Sequence, residues 1–332
     1  MKKALAIVLS LLLVFGMVAC GGGAEVEEGP LVVLITDTGG LGDESFNDSA
    51  WAGFQRAETE LGVQIQVIES ATSDDYLPNI SAAVEAGAAL IICNGFLMAE
   101  ATQQGADQYP DQAFALVDSA DAQAPNILNL TFNEQEGSFL VGVAAAAMTE
   151  SNVIGFVGGI QLPLIEKFQF GFQAGVKAAN PDAQVLINYT QSFSDSALGK
   201  ENALAQNKLG ADVIYHASGG CGIGVIQAAG EQDFWAIGVD QDQSALDPDH
   251  VLCSMIKRVD VATFNAIKMV VDGEFEGGGY VFSLADEGIG AGDEAGNLPA
   301  DVLASIEVWK EKIVNGEFEV PYDANTFANF SL

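Results

Sequence analysis

The stretch LITDTGGLGDESFNDSAWAGF, residues 34–54, leads from an apolar run into the repeating pattern of an amphipathic helix. Three glycines and three acidic residues lie in the loop between the two patterns. A strand that passes through a short loop into a helix is the first part of a βαβ unit, from which parallel α/β sheets are built. The residues of the loop then decide which class of ligand can bind at the end of the strand.

The glycines of this loop do not fit a phosphate-binding motif. Counting from Gly40, the dinucleotide pattern G-x-G-x-x-G requires a glycine at position 45, where the chain has Ser45. The pattern G-x-x-x-x-G-K-[ST] does not occur in the sequence either. Asp37, Asp43 and Glu44 would repel a phosphate, but they can accept hydrogen bonds from hydroxyl and N–H groups. The loop therefore favours a ligand such as a sugar or a heterocycle.

Three consecutive residues at the end of the loop have more than one explanation. Ser45 or Asn47 can cap the helix that follows. Phe46, which lies between them, can stack on a flat ligand or simply pack against the protein. The residues alone leave both alternatives open.

Short β-rich apolar runs alternate with helical patterns along most of the chain. We predict strands at 31–36, 63–69, 89–93, 114–118, 127–131, 153–157, 184–189, 213–216, 235–239 and 252–256. Helical patterns include 49–61, 134–149, 165–179 and 200–208. Because the series restarts at Asn152, we predict an α/β protein with two similar, doubly wound Rossmann-like lobes.

In such sheets a ligand binds beyond the carboxyl ends of the strands, and with two lobes the crevice lies between them. Polar groups and glycines follow many of the predicted strands, namely Asp37, Asn94 to Phe96, Asp118 and Ser119, Gly158 and Gly159, His216 to Gly222, and Asp240 to Asp242. Lys257 follows the apolar alternation at 251–256. The aspartates could equally form caps or turns, His216 could be a packing residue, and Lys257 a solvated strand end. The turn around Gly220 can also bring backbone N–H groups close to a ligand.

The beginning of the chain has the pattern of an export signal. Lys2 and Lys3 precede an uncharged apolar run from Ala4 to Ala19, which is short for a membrane span. The run ends in MVAC, which resembles the lipobox of bacterial lipoproteins, with lipidation at Cys20; a plain secretory signal with an incidental cysteine is the alternative. We therefore expect a signal peptide at 1–19 and a lipidated tether at 20–30 that holds the protein on the extracytoplasmic face of the cell membrane.

Charge and cysteine content exclude several functions. Acidic residues outnumber basic ones by 46 to 12, for a formal net charge of −34, so nucleic acid is not an expected partner. Cys93, Cys221 and Cys253 have no C-x-x-C spacing and are expected to be small buried residues. The chain lacks a G-x-S-x-G elbow and a tight aspartate repeat, so we expect neither an enzyme nor a cofactor or metal.

Five stretches together resemble the basic membrane protein family of bacterial lipoproteins, which includes a purine nucleoside receptor. They are DESFNDSAWAGF, GFVGGIQLPLIEKFQFGFQAGVKAANPD, QSFSDSALGKENALAQNKLGADVIYHASGGCGIGVIQAA, AIGVDQDQ and SMIKRVDVA. The resemblance implies a type I periplasmic-binding-protein fold with a multi-strand hinge. It also implies a solute-binding role for an ABC importer of nucleosides, with the permease as membrane partner and the receptor as a monomer.

The resemblance also implies roles for individual residues. Phe46 matches the first aromatic that stacks on the purine, with Asn47 beside it and Asp37 on the ligand side. Asp118 matches an acid that faces purine N–H donors, and Asp240 with Lys257 a pair that binds the ribose. The second stacking position falls within Tyr215, His216 and Ala217. We choose His216 there, although the family more usually has phenylalanine.

Two lobes that share one ligand would close around it by hinge bending. We expect the first lobe to contain 31–133 with about 252–284, and the second 134–251 with about 285–332. The predicted crossings lie near Asn133, at 239–254 and at 283–290. A surface sensor or adhesin with this fold, or a receptor for another small polar solute such as a sugar, is the alternative function.

Overall fold

The computed structural model describes residues 29–331. The predicted signal peptide, the lipidation site at Cys20 and most of the predicted tether lie outside these residues. The strands are β1 (Leu31–Thr36), β2 (Gln64–Ile68), β3 (Leu90–Asn94), β4 (Ala113–Val117), β5 (Ile127–Phe132), β6 (Val153–Gly158), β7 (Gln184–Tyr189), β8 (Val213–Ala217), β9 (Trp235–Asp240), β10 (Val251–Lys257), β11 (Gly278–Phe282) and β12 (Ile289–Gly292). The helices are α1 (Phe46–Leu61), α2 (Tyr76–Glu85), α3 (Ala99–Gln108), α4 (Glu134–Met148), α5 (Pro163–Ala179), α6 (Ser196–Lys208), α7 (Cys221–Gln232), α8 (Val259–Asp272), α9 (Ala300–Val314) and α10 (Ala324–Ala328).

The strands form two six-stranded sheets, one in each lobe. The first has the order β11-β5-β4-β3-β1-β2, and all its strands are parallel. The second has the order β12-β10-β9-β8-β6-β7, and only the edge strand β12 is antiparallel to its neighbour. Central strands such as β3 and β8 are buried along their whole length, since a parallel sheet carries helices on both faces. The predicted α/β class with two doubly wound lobes is therefore confirmed.

Two strands were missed by the sequence pattern. β11 begins with two glycines and has four exposed residues, and β12 reads Ile-Gly-Ala-Gly. Neither segment has the continuous apolar run of a buried strand, because both lie at the edges of their sheets. They pair only because the tertiary fold brings them beside β5 and β10.

The chain returns to the first lobe later than the sequence predicts. We expected this return at about residue 252, but β10 pairs in parallel with β9 and so belongs to the second sheet. The crossing lies at Arg258, between β10 and α8. Helix α8 packs on α1 of the first lobe, where a Cβ atom at Gly53 would lie 2.1 Å from Thr263 Oγ1. The crossing predicted within 239–254 is wrong for the same reason, since β9 and β10 are neighbours in one sheet.

Close helix packing gives the second lobe its core. Helix α4 is buried over most of its length and approaches α5 so closely that a Cβ atom at Gly175 would lie 2.0 Å from the carbonyl oxygen of Phe139. On its other side Phe139 contacts Trp309 of α9, with 5.3 Å between ring centroids. Cys93, Cys221 and Cys253 are free and buried, as expected. Among residues 29–331 no helix is long and apolar enough to cross a membrane.

Candidate functional site

The loop that follows β1, residues 37–45, is shaped by one buried carboxylate. Asp43 accepts hydrogen bonds from the backbone N–H groups of Ser45, Asn47 and Asp48 at 3.0, 2.9 and 3.1 Å. It thereby satisfies the free donors at the start of α1, a role we had considered for Ser45 or Asn47. Burial raises the pKa of Asp43 to about 7, even though these three N–H groups lower it. Phe46 is held at the first position of the helix as a result.

Asp37 and Asn47 form a second polar group at the end of β1. Asp37 Oδ1 accepts from the backbone N–H of Gly39 at 2.9 Å and from Asn47 Nδ2 at 3.2 Å. Asn47 Oδ1 in turn accepts from Asn94 Nδ2 at 3.0 Å. Gly95 has φ +120°, and a Cβ atom there would lie 2.9 Å from Asp37 Oδ2, so this close approach requires glycine. Burial raises the pKa of Asp37.

The two lobes each contribute an aspartate directly after an inner strand. Asp118 follows β4 and Asp240 ends β9, and both have a left-handed backbone, with φ of 68° and 69°. Aspartate tolerates this conformation better than most residues with a side chain. Both side chains are buried and both line the cavity between the lobes. Burial raises the pKa of Asp240, against the opposing effect of Lys257.

A buried lysine connects these acids. Lys257 Nζ donates to Asp118 Oδ2 at 2.6 Å and lies 3.6 Å from Glu134 Oε1, while its side chain is 2% exposed. Glu134, at the start of α4, is fully buried and also accepts from Lys167 Nζ at 2.9 Å. Burial alone would lower the pKa of Lys257, but Asp118, Glu134 and Asp240 outweigh it and raise the pKa. Glu134 was missed at this site because in the sequence it reads only as an acid in a first helical turn.

Aromatic rings from both lobes line the same cavity. Phe46 and Phe96 belong to the first lobe, and Phe168 of α5 and Phe193 to the second. Phe96 meets Phe193 edge to face across the cleft, with 6.2 Å between centroids. Lys257 Nζ lies 5.0 Å from the centre of the Phe46 ring. Phe96 belongs to the stretch from Asn94 to Phe96 that we expected at the end of β3, whereas nothing in the sequence pattern singles out Phe168 or Phe193.

The structure does not place our choice for the second stacking residue at the cavity. His216 is fully buried and does not line the cavity; its Nε2 lies 2.8 Å from Gln243 Oε1. Burial lowers the pKa of His216 to about 4, so the imidazole is neutral at physiological pH. Tyr215 is buried against Phe172, and only Ala217 of the three candidates faces the cavity.

Gly220 also lies outside the residues that line the cavity. It is the residue before α7, and a Cβ atom there would lie 3.3 Å from the carbonyl oxygen of Phe193. Its neighbours Ser218 and Gly219 do line the cavity. The glycine-rich turn therefore contributes to the site, but one residue earlier than predicted.

The space between protein atoms in and around the interlobe cavity amounts to about 540 Å³, a volume that includes open solvent at its mouth. The lining residues from the first lobe are Asp37, Gly39, Asp43, Phe46, Asn47, Gly95, Phe96 and Asp118. From the second lobe they are Leu164, Ile165, Phe168, Phe193, Ala217, Ser218, Gly219, Val239, Asp240 and Lys257. Six of the predicted site residues, Asp37, Phe46, Asn47, Asp118, Asp240 and Lys257, are thus brought together.

Three polar contacts join the lobes beside this cavity. Ser45 Oγ donates to Asp240 Oδ2, and Lys257 binds Asp118. Gln243 Nε2 donates to the carbonyl oxygen of Glu44 at 2.7 Å. Within residues 29–331, Asp118 Oδ1 and Ser218 Oγ are buried without a hydrogen-bond partner. The site can therefore accept N–H and O–H donors of a small ligand. The same range contains no cluster of three or more histidine, cysteine or acidic residues suited to a metal ion.

Comparisons with known proteins agree with this architecture. The Bmp family model, described as ABC transporter substrate-binding protein PnrA-like, matches residues 31–324. A CD4+ T-cell-stimulating antigen of Listeria innocua is 35% identical over 352 aligned positions, which cover 96% of this chain and 99% of that protein. The ABC transporter nucleoside-binding protein BmpA of Lactococcus lactis subsp. cremoris is 35% identical, with coverage of 91% and 92%.

Solved structures show the same arrangement of two lobes. A solute-binding protein of an ABC transporter system from Aeropyrum pernix K1 has a TM-score of 0.82 and 32% identity, and the match covers 90% of this chain and 96% of that one. The predicted type I periplasmic-binding-protein fold is confirmed. Members of this family are extracytoplasmic, membrane-associated binding proteins rather than enzymes, with a small ligand and a permease as partners. The chain belongs to the Bmp family, the PnrA-like substrate-binding proteins of ABC transporters.

Proposed function

We propose that this protein captures nucleosides, with a purine base, in the cavity between its lobes and delivers them to an ABC importer. The observation that carries the proposal is that Phe46 and Phe193, from opposite lobes, line one cavity that also contains the carboxylates of Asp37, Asp43, Asp118 and Asp240. A flat heterocycle can stack on aromatic rings, while a ribose needs several hydrogen-bond partners.

The base would lie between Phe46 and Phe193. Both rings are half-buried, so each has surface left for a ligand. Phe168 is a weaker candidate because it is 3% exposed and packs in the apolar core, with Lys257 Nζ 5.6 Å from its ring centre. The second stacking role thus moves from His216 to Phe193.

Different polar side chains would bind different parts of the ligand. Asp118 Oδ1, which is buried without a partner in the described part of the chain, would accept from an N–H group of the base. Asp240 and Lys257 would bind the ribose hydroxyls, and Asp37 with Asn47 the remaining polar edge. Because Asp118 is bound to Lys257, the base and sugar subsites would adjoin at this ion pair.

Charge would restrict the ligand class further. Asp37, Asp43, Asp118 and Asp240 line the cavity, and its lysine is already paired with one of them. A phosphate would meet these carboxylates with little compensating positive charge. Nucleosides should therefore bind in preference to nucleotides. The name of the Lactococcus relative, a nucleoside-binding protein, supports the same class.

We also propose where the protein lies in the cell and which partner it has there. We expect the protein to be a monomer that a lipid on Cys20 holds at the extracytoplasmic face of the membrane. A permease would recognise the protein when its lobes are closed. Closure follows from the site, since a ligand that contacts both lobes stabilises the closed state over the open one.

A panel of ligands tests the proposal most directly. Thermal unfolding is measured with purine and pyrimidine nucleosides, free bases, sugars and nucleotides. A ligand at a hundred times its Kd stabilises the folded state by about 2.7 kcal/mol, which is readily detected. Purine nucleosides should raise the midpoint most. Stabilisation by a sugar and by no nucleoside would favour a sugar receptor, and normal nucleoside uptake in cells without the protein would favour a sensor or adhesin.

A further inference from the structure

The VDQDQ segment that ends β9 contains a second buried polar residue besides Asp240. Gln243 is 2% exposed and does not line the cavity, yet it contacts both lobes. A glutamine is seldom buried unless its amide is satisfied by hydrogen bonds. Its partners indicate what it does.

Backbone groups fix the orientation of the Gln243 amide. The N–H of Val239 donates to its Oε1 at 2.9 Å, and its Nε2 donates to the carbonyl oxygen of Glu44 at 2.7 Å. A backbone N–H can only donate and a carbonyl can only accept, so the amide cannot be flipped. The backbone N–H of Gln243 also donates to Ser254 Oγ at 3.0 Å. The residue is thus anchored in the second lobe, with one donor directed at the first.

His216 completes the anchoring of this side chain. Its Nε2 lies 2.8 Å from Gln243 Oε1, and because that oxygen is an acceptor, Nε2 must carry the proton. Within the described chain Nδ1 is buried and has no partner, in agreement with the neutral Nε2–H tautomer. The ring also has little room to move, since a Cβ atom at Gly222 would lie 1.9 Å from its Cε1. His216 therefore holds the Gln243 amide in place.

The acceptor on the other side of the cleft is equally well positioned. Glu44 has a left-handed backbone, with φ of 51°. Asp48 accepts from the N–H groups of both Gly42 and Glu44, at 2.8 and 2.9 Å, and so fixes the peptides around this carbonyl. Donor and acceptor are each held by their own lobe. The hydrogen bond between them can form only when the lobes come together.

We infer that Gln243 is a latch that holds the lobes closed and that His216 is the residue that positions it. The inference rests on the proposed function in one respect, namely that closure traps a ligand. Loss of the latch should then speed ligand release without altering any group that lines the cavity. It should also let the lobes separate more often when no ligand is added.

Replacement of Gln243 by glutamate tests the latch with minimal change of shape. The full chain in detergent is compared as wild type, Gln243→Glu and the control Gln241→Glu, which makes the same change at a side chain without a hydrogen bond in the described structure. A carboxylate keeps an acceptor for Val239 and His216 but cannot donate to Glu44. Dissociation of a purine nucleoside by stopped flow should become about three- to tenfold faster, the range expected for one lost hydrogen bond. Hydrogen exchange in residues 38–48 without ligand should also accelerate.

Two further variants test whether His216 positions Gln243. His216→Met removes the donor, whereas His216→Gln keeps an N–H at the same number of bonds from the backbone. The methionine variant should reproduce the faster release and exchange, and the glutamine variant should stay near wild type. The chain has only two histidines, so long-range ¹H–¹⁵N correlation should readily resolve the tautomer of His216, expected to be Nε2–H.

The outcomes separate the latch from the proposed function. Exchange and release in Gln243→Glu that equal those of Gln241→Glu would overturn the latch, and an Nδ1–H tautomer would overturn the role of His216. If no nucleoside binds the wild type, the proposed function fails, while hydrogen exchange and the tautomer still decide the latch. Should Gln243→Glu not fold, the two His216 variants carry the same test.

Discussion

Lys257 of the second lobe donates to Asp118 of the first lobe at 2.6 Å, although the two residues lie 139 positions apart in the chain. Both side chains are almost fully buried, and Glu134 lies 3.6 Å from the same ammonium group. Removal of one partner from a buried ion pair leaves a charge without compensation, which is much costlier than loss of a surface pair. The charged groups of the binding site therefore also contribute to the stability of the folded protein.

Lys257→Met should lower the free energy of unfolding by about 3 to 5 kcal/mol, because three carboxylates would lose their shared cation. The control is Lys268→Met, which breaks an exposed pair with Asp272 and should cost at most about 1 kcal/mol. Urea unfolding at neutral pH measures both. Equal effects of the two substitutions would show that the buried pair stabilises the protein no more than the exposed pair does.

Stability should fall as the pH rises from about 4 to about 7. Burial raises the pKa of Asp43 to about 7 and raises those of Asp37 and Asp240, so the folded state binds more protons than the unfolded state in this window. The stabilisation is complete below the unfolded pKa and is lost as the pH passes the folded pKa. A tenfold difference in proton affinity between the folded and unfolded states corresponds to about 1.4 kcal/mol of this stabilisation.

Asp43→Asn should flatten this pH dependence, since it removes one of the groups responsible. The control Asp74→Asn changes an exposed acid and should leave the slope as it is. Thermal unfolding from pH 4 to 8 provides the comparison. A slope that the two variants share with the wild type would mean that Asp43 titrates as an ordinary surface acid.

Phe46→Ala and Phe193→Ala should each weaken purine nucleoside binding by about 1 to 3 kcal/mol, as expected for loss of an aromatic that stacks on a base. Phe170→Ala is the control, because that ring packs on Phe327 with 5.7 Å between centroids and does not line the cavity. Isothermal titration calorimetry measures all three. Full affinity in Phe193→Ala would favour Phe168 as the second stacking residue.

Asp240→Asn should reduce the preference of the protein for a nucleoside over the corresponding free base. The ribose would lose a charged acceptor, and the hydrogen bond from Ser45 would weaken as well. The control Asp249→Asn changes an exposed acid of the same lobe. Calorimetric titration with a nucleoside and with its free base gives the two affinities. If Asp240→Asn retains their full ratio, the ribose does not contact this residue.

Cys20→Ser should release the protein from the membrane fraction, because the substitution removes the thiol that would carry the lipid. Fractionation of cells, followed by immunoblotting, compares the variant with the wild type. A variant that still sediments with membranes would argue against lipidation at this position.

The sequence by itself was sufficient for the fold class, for most of the strands and for much of the site. Period and length of the apolar runs located most strands, and the strand-end rule selected Asp37, Asn94 to Phe96, Asp118 and Asp240. Ser45 lies where the dinucleotide-binding motif requires glycine, and the first loop contains three acids. Both features argue against a phosphate ligand. These features are local, so they can be read from neighbouring residues.

Only the tertiary structure decided which way the residues of β8 face. The strand Val-Ile-Tyr-His-Ala is buried on both faces, so no alternation of polar and apolar residues reveals that Ala217 faces the cavity and His216 does not. Phe193 reaches the site from a loop after β7, and Lys257 meets Asp118 across two lobes. Such relationships depend on how sheets and loops are placed in space, which no short segment encodes. The sequence therefore determined what the strand ends offer, and the fold determined which side chains share one cavity.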